Sequence, residues 1–563
     1  MTRARSTPAL VSLGILLTVL LTACAGLPTA GPVNAGQAVT EAETDGDFVF
    51  IPDGPATDAT PQQIVEGFIA AGSGPRGNWD TAREFLAGDF RPIWKPQAGV
   101  TVYRPGERTL TEVADDEFVL SVTPVATVDD TGALSTVGDD GEIPLAFTLA
   151  RQADGQWRIT EAADGIVLDL NRFRAVFGSY ALMFFDPMWT YLIPDERWFP
   201  KTYAATSIAQ ALVDGAPSPW LDGAVATSFV DGARLAQPAV PVRSGRVAEV
   251  SLEEGARSLE PTVLSRMQAQ LEASLLTAGI TGVDMFVDDQ MLAAVPAPAR
   301  STRVDTRPLV RTAEAFGFLS GTTVEEIDGL SAALVDTDAV HIDVNADRTA
   351  AAVLAPEGAV LEVRGDGTEL VLDNRSGLLA PSIDPFGYIW SVPAEAPTAV
   401  SAIAPDGTVF QIASAWAGAL RIASMRVSRD GTRVAAIVRD GTRDALWVAG
   451  ILRDRNGVPT ALGVPEAMAV LPGTGVQVAW SDAGTLSVLY GLDGATYLWD
   501  QPLGGFGSFV RTPDGVTTVA GGNQSGSARL RDAAGDLYVQ SGVNWQHLSA
   551  GVLVLATQQG SPR

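Results

Sequence analysis

Met425-Arg426-Val427-Ser428-Arg429-Asp430-Gly431-Thr432-Arg433-Val434-Ala435 decides the fold, because it is a strand, a turn and a second strand in one short phrase. Ser, Asp and Gly serve the turn, and apolar residues flank it on both sides. The phrase recurs as Ile342-Asp343-Val344-Asn345-Ala346-Asp347, as Pro381-Ser382-Ile383-Asp384-Pro385-Phe386-Gly387 and as Val478-Ala479-Trp480-Ser481-Asp482-Ala483-Gly484. A degenerate copy lies at residues 518–522. Aligning Asn345, Asp384, Ser428, Ser481 and Gly521 gives spacings of 39, 44, 53 and 40 residues. Four-stranded propeller blades repeat at about this period. Each unit carries a later strand with an aromatic residue: Tyr388-Ile389-Trp390, Leu446-Trp447-Val448, Tyr497-Leu498-Trp499 and Leu537-Tyr538-Val539. A blade cannot bury both faces alone, so neighbours around an axis supply the core. Residues 311–563 therefore read as an all-β propeller of five visible blades, with length for a sixth and a closing strand expected at 552–556.

Upstream the period changes. Residues 178–295 mix strands and helices. Strands at 180–185 and 190–193 surround a turn at Asp186-Pro187, and a helix near 206–214 turns Ile208, Ala211 and Leu212 inward. After a strand at 247–252, Ser258 is expected to cap a long helix with Pro261 in its first turn. Its face is Leu264, Met267, Leu271, Leu275 and Ala278, and Gly279 stops it. A strand at 283–287 then ends in Asp288-Asp289, paired acids read as a solvated turn rather than metal ligands. Residues 48–177 begin with a helix capped by Thr60, with Pro61 first and Ile64, Val65, Phe68 and Ile69 on its apolar side. A second helix is expected from Asn78, with Trp79, Ala82, Phe85 and Leu86 on one side and Gly88 past its end. Strands follow at 100–103, 117–125, 143–151 and 157–161. The fold class is multidomain: an α+β N-terminal region, an α/β middle domain and the C-terminal propeller.

The first residues decide the compartment. Arg3 and Arg5 precede an apolar run at 9–20, too short for a membrane span, and Leu21-Thr22-Ala23-Cys24 follows. This resembles the lipobox of bacterial lipoproteins. The resemblance implies a diacylglyceryl thioether on Cys24, removal of residues 1–23 as signal peptide, and N-acylation of the new terminus. Two or more acyl chains, at ~0.8 kcal/mol per buried CH₂, hold a protein on a membrane where one is marginal. Residues 24–47 are polar and Gly/Pro/Thr-rich, a flexible tether with a mean span of about 25–30 Å. The expected location is the extracytoplasmic face of the cell membrane.

Composition removes most other chemistry. With 66 acids against 38 bases, the net charge of −28 argues against nucleic acid and against polybasic docking on lipid. Cys24 is the only cysteine, so no internal disulfide forms, and His341 and His547 are the only histidines. A His/Cys zinc site lacks its ligands. No G-x-S-x-G elbow surrounds Ser525, and neither Lys95 nor Lys201 follows glycine in a phosphate loop. His341 lies in an apolar run and His547 beside Trp545, which suits packing or a strand edge better than a catalytic triad. Asp-Gly pairs in the repeats are turn chemistry, and a single Trp499-Asp500 says little. No catalytic residue, cofactor or metal is assigned. Two carboxylates facing a propeller funnel could still serve a glycan, so a glycan-binding or glycan-cleaving propeller stands as the alternative.

Two helices before a sheet, with Asp154-Gly155-Gln156-Trp157-Arg158-Ile159, resemble NTF2-like domains, which in exported proteins are mostly structural. Ala211-Leu212-Val213-Asp214-Gly215-Ala216-Pro217 and the order of elements around it resemble the GerMN domain. With the lipobox and the propeller, the whole resembles the actinobacterial LpqB lipoprotein family. The Ser428–Arg433 phrase carries that resemblance, as do Trp198-Phe199-Pro200 and Pro219-Trp220-Leu221. The resemblance implies a non-enzymatic accessory protein beside the MtrAB two-component system, touching the extracellular part of the sensor histidine kinase MtrB.

Overall fold

Strand pairing sets the architecture of the computed structural model, which describes residues 52–138, 141–213, 215–229, 233–560 and 562. The expected signal peptide (residues 1–23), the expected tether (24–47) and Cys24, the expected lipidation site, lie outside the described residues.

In the first region, helix α1 (Pro61–Ala71) starts at Thr60 in a reciprocal cap: the Thr60 hydroxyl accepts from the Gln63 amide, and the Thr60 amide donates to Gln63 Oε1. Its buried side, Ile64, Val65, Phe68 and Ile69, lies against a sheet ordered Trp157–Ala162, Ile143–Arg151, Glu117–Asp129, Gly99–Ala114, Ile166–Asp169. The second helix departs from expectation. Helix α2 (Arg76–Arg83) opens with left-handed backbone at Gly77, Asn78 and Trp79 (φ 56–60°) and ends before Phe85. Phe85 and Ala87 instead pair with Ile159 (3.0 and 2.8 Å), so backbone groups that a longer helix would use go to the sheet edge. The Trp79 indole donates to the Gly72 carbonyl oxygen at 2.8 Å and pins the left-handed turn.

The middle region is built on a hairpin, Phe177–Phe185 with Leu192–Pro200, and a sheet whose strands Val247–Ser251 and Gly282–Val287 run parallel. Helix α3 (Ala204–Val213) buries Ile208 and Leu212, as the pattern predicts. The long helix α4 (Pro261–Leu276) is not capped by Ser258, whose hydroxyl donates to Gly255 O. Glu260 takes the cap position without a side-chain bond, because residues 254–258 close their own 3₁₀ turn first. Gly279 ends it in left-handed geometry (φ 70°). Two buried polar residues on α4 cover the open hairpin edge: Ser274 Oγ accepts from Met183 N and Gln270 Nε2 donates to Met183 O, while Gln270 Oε1 accepts from Ser228 N.

The propeller has six blades among the described residues. Five begin on the repeated phrase, with inner strands His341–Val344, Ser382–Ile383, Arg421–Val427, Thr474–Trp480 and Val516–Ala520. The sixth is assembled from both ends of the region. Strands Leu309–Arg311, Phe316–Ser320 and Thr323–Glu326 supply its outer part, and Val554–Gln558 is its inner strand. Val554–Gln558 pairs antiparallel with Leu309–Arg311 and parallel with His341–Val344, which closes the ring. The degenerate repeat has its own cause. A Cβ on Gly521 would sit 1.9 Å from the Trp480 carbonyl oxygen, so no Ser or Asp fits there.

Candidate functional site

The repeated phrase turns out to be a buried polar staple. Asp430 Oδ1 accepts from Ser428 Oγ (2.7 Å), Thr432 N (2.9 Å) and the Thr432 hydroxyl, and Asp430 Oδ2 meets Arg433 at 2.5 Å. Burial pushes this carboxyl up, yet Arg433, Thr432 and Ser428 together hold it below the ordinary range. Asp384 plays the same part in the previous blade, bonded to Arg453 (2.6 Å) and Trp390 Nε1 (3.0 Å). Asp500, of the Trp-Asp pair, accepts from Ser487 (2.5 Å) and from Ser525 (3.1 Å). These carboxylates are committed to structure.

The two sequence phrases flanking helix α3 converge on a junction of all three regions. Phe173, on helix Leu170–Val176 of the first region, stacks on Phe177 (5.1 Å between ring centres) and meets Trp198 (4.9 Å) and Phe506 of the propeller (6.2 Å). The Trp198 indole donates to the Gly504 carbonyl oxygen at 2.8 Å. Pro219–Leu221 forms one 3₁₀ turn that seats Trp220 and Leu221 among Ala435, Ile437, Leu446, Val448 and Trp480. Gly450 admits this turn: a Cβ there would lie 2.6 Å from the Ala224 Cβ and 2.9 Å from the Trp220 carbonyl oxygen.

Beneath the aromatic residues lies a buried ion pair. Arg197 and Asp195, each 3% exposed, meet at 2.7 Å. Arg197 also donates to the Thr131 hydroxyl (2.6 Å) and Thr131 O (3.2 Å) of the first region. Asp195 accepts from Ser218 N (2.8 Å) and Ser218 Oγ (2.6 Å) beside the Trp220 turn. The neighbouring Glu196 is pushed up by burial, opposed by a hydroxyl bond from Ser179 and assisted by Asp195 and by Asp482 of the propeller.

Two cavities adjoin this junction, and a third lies apart from it. A groove of about 640 Å³ runs between the first and middle regions, with Trp79, Gln97, Asp129, Trp198, Tyr203 and Gln210 among its walls. A second, of about 260 Å³, opens between Glu196, Trp220, Glu466, Met468 and Gly504. The third, about 190 Å³, is an apolar pocket inside the first region between Phe68, Trp94, Phe147 and Ile166, a region read from its sequence as structural.

The remaining candidates are dispersed. His341 is buried in a strand, and burial together with the Arg426 charge pushes its imidazole well below 6.5. His547 is on Asn544–Ser549, the edge strand of its blade, 3.2 Å from Asp536. Asp288 and Asp289 both adopt left-handed backbone, and Asp288 pairs with Arg257 at 3.1 Å. Among the described residues no group of three or more His, Cys, Asp or Glu is placed to hold a metal. A cavity at the propeller axis, where a glycosidic pair of acids would be needed, is lined by Arg307, Arg426, Arg429 and Arg529 with Asp305 as its one acid. The Asp195–Arg197 pair escaped the sequence reading, because two charges alternating inward make a buried strand look exposed.

A six-bladed propeller locked to an α+β and an α/β domain through one buried junction defines a class of multidomain propeller proteins. The model for the N-terminal domain of lipoprotein LpqB matches residues 54–174, and that for the lipoprotein LpqB β-propeller domain matches 309–554, together more than half of the chain. Lipoprotein LpqB of Bifidobacterium longum is 25% identical over 94% of both chains. That of Thermobifida fusca is 25% identical over 84% of this chain and 86% of its own. That of Mycolicibacterium smegmatis is 25% identical over 78% of this chain and 79% of its own. Among solved structures, TolB from Acinetobacter baumannii matches at 13% identity and TM-score 0.31, over 44% of this chain and 64% of that one, too slight a likeness to assign anything by. The chain belongs to the LpqB lipoprotein family. Among the described residues no helix is long and apolar enough to cross a membrane.

Proposed function

We propose that this lipoprotein is held by a diacylglyceryl thioether and N-acyl group on Cys24 and docks on the extracellular part of an MtrB-like sensor histidine kinase, modulating the MtrAB system and envelope homeostasis. The observation that carries the reading is the junction itself. Thr131, Arg197, Asp195 and Ser218 bind the first region to the middle one, and Trp198 and Trp220 bind the middle one to the propeller. Such a junction presents one fixed surface, including the 640 Å³ groove, rather than three independent modules. On this reading the domains run 48–177, 178–295 and 311–563, with 1–23 removed and 24–47 as tether. Confinement at the membrane raises the effective concentration of both proteins, so that weak contacts suffice.

The test places a photo-crosslinking residue at Tyr203 or Gln210, on the groove, in the wild type and in Cys24→Ala. Wild type is expected to capture a membrane kinase and Cys24→Ala to lose it. Capture of peptidoglycan fragments with no kinase sinks the proposal and revives the glycan alternative.

A further inference from the structure

Four inner strands of the propeller end around a small cavity on its axis. Arg426 and Val427, Ala479 and Trp480, Ala520 and Gly521, and Ala556 to Gln559 form its wall, with Val304, Asp305 and Arg307 of the segment entering the propeller. Its volume is about 40 Å³, room for roughly three waters or one small oxyanion. The entering segment is fastened there by Asn523, which bonds both Val304 N and Val304 O at 2.8 Å.

Arg426, Arg429 and Arg529 line this cavity at 3%, 8% and 7% exposure. A buried guanidinium without a counter-charge is costly, and this chain elsewhere avoids it. Arg197, Arg433 and Arg453 each hold a carboxylate at 2.5–2.7 Å. The three axial arginines have no carboxylate oxygen within 4.0 Å among the described residues. Arg426 Nη1 donates to the Ala380, Pro381 and Met425 carbonyl oxygens, its Nη2 faces His341 at 3.2 Å, and its Nε is buried with no acceptor. Arg429 uses only Nη2, on the Trp480 carbonyl oxygen at 2.7 Å. Arg529 binds the Gly521 carbonyl oxygen at 2.9 Å and the Thr306 carbonyl oxygen.

The nearby acids are already engaged. Asp343 accepts from Ser382 Oγ, Ile383 N, Thr557 Oγ1 and Gln559 Nε2, and Asp305 is clasped through both oxygens by Arg307. Burial first, and then the charge of Arg529, push the Arg429 guanidinium down to about 10, so it stays charged at neutral pH and repels its neighbour. A positive centre thus sits inside a protein of net charge −28.

We infer that the axial cavity binds a small anion, a halide or the oxygens of a small oxyanion, held by Arg429 and Arg529 with Arg426 behind them. The anion supplies the counter-charge that the fold omits, and it does so where the segment from the middle domain enters the propeller.

The test uses the full mature chain in a buffer whose only anion is a bulky sulfonate, titrated with sodium chloride and separately with inorganic phosphate. A saturable one-to-one isotherm with a rise in Tm is expected for one of the two salts, which also distinguishes halide from oxyanion. Arg429→Gln is expected to weaken that binding at least tenfold. Because the substitution relieves repulsion, its Tm should equal or exceed that of wild type without anion and fall below it at saturation, a crossing that a purely structural arginine would not give. If Arg429→Gln does not fold, crystals of wild type in sodium bromide decide the matter. An anomalous peak against the Arg429 guanidinium supports the site, and its absence, or an isotherm without saturation for both salts, overturns it.

Discussion

Two buried centres of this molecule treat arginine in opposite ways. At the domain junction Arg197 has a carboxylate at 2.7 Å and two further acceptors from another domain. At the propeller axis Arg429 has a single carbonyl oxygen. The first arrangement is internally complete, so removing one partner strands the other in low dielectric. The second is incomplete, so removing the arginine takes away a repulsion as well as a bond. The difference teaches that burial of a charge does not by itself identify a stability element; what completes its coordination does.

The sharpest way to break this contrast is Arg197→Ala. It leaves Asp195 buried with only Ser218, and a loss of ~3–5 kcal/mol is expected, read by denaturant unfolding, together with earlier proteolysis between the first two domains. Less than 1 kcal/mol would mean that water replaces the pair and that the junction is not the lock described. Trp198→Ala should cost ~2–3 kcal/mol, since the indole is half-buried but joins three domains. An unchanged midpoint would show that the aromatic cluster contributes little beyond shape.

Glu196→Gln has the smallest expected effect and the opposite sign. Burial raises this carboxyl above its ordinary 4.5, so ionisation penalises the folded state. That penalty is full above the raised value and absent below 4.5. The variant should therefore raise Tm at about pH 7.5 and match wild type at about pH 4. A constant Tm difference across that window would rule out titration of Glu196 as the cause.

The sequence was most readable where local rules and burial agree. Thr60, Pro61 and Gln63 start a helix, Gly279 stops one, and Ser428, Asp430 and Gly431 punctuate a blade, each through backbone chemistry within a few residues. It was least readable where distant partners decide. Phe85 leaves its helix for Ile159, a residue far along the chain. The sixth blade has no contiguous repeat to find, because its inner strand comes from residues 554–558 and the rest from 309–326. The junction was legible only as two family-like phrases, since nothing local says that Trp198 and Trp220 face another domain. The axial arginines lay inside the very phrase that revealed the fold, where Arg426 and Arg429 read as ordinary strand and turn residues.

The stitched blade also governs the order in which the protein can become complete. Five blades draw their strands from contiguous stretches of chain, but the hoop stays open until residues 554–558 slot between Leu309–Arg311 and His341–Val344. A chain clipped short of that strand would expose the inner edges of two blades together and display itself to envelope proteases. Ring closure therefore reports that synthesis has passed residue 558, since only then can the closing strand take its place.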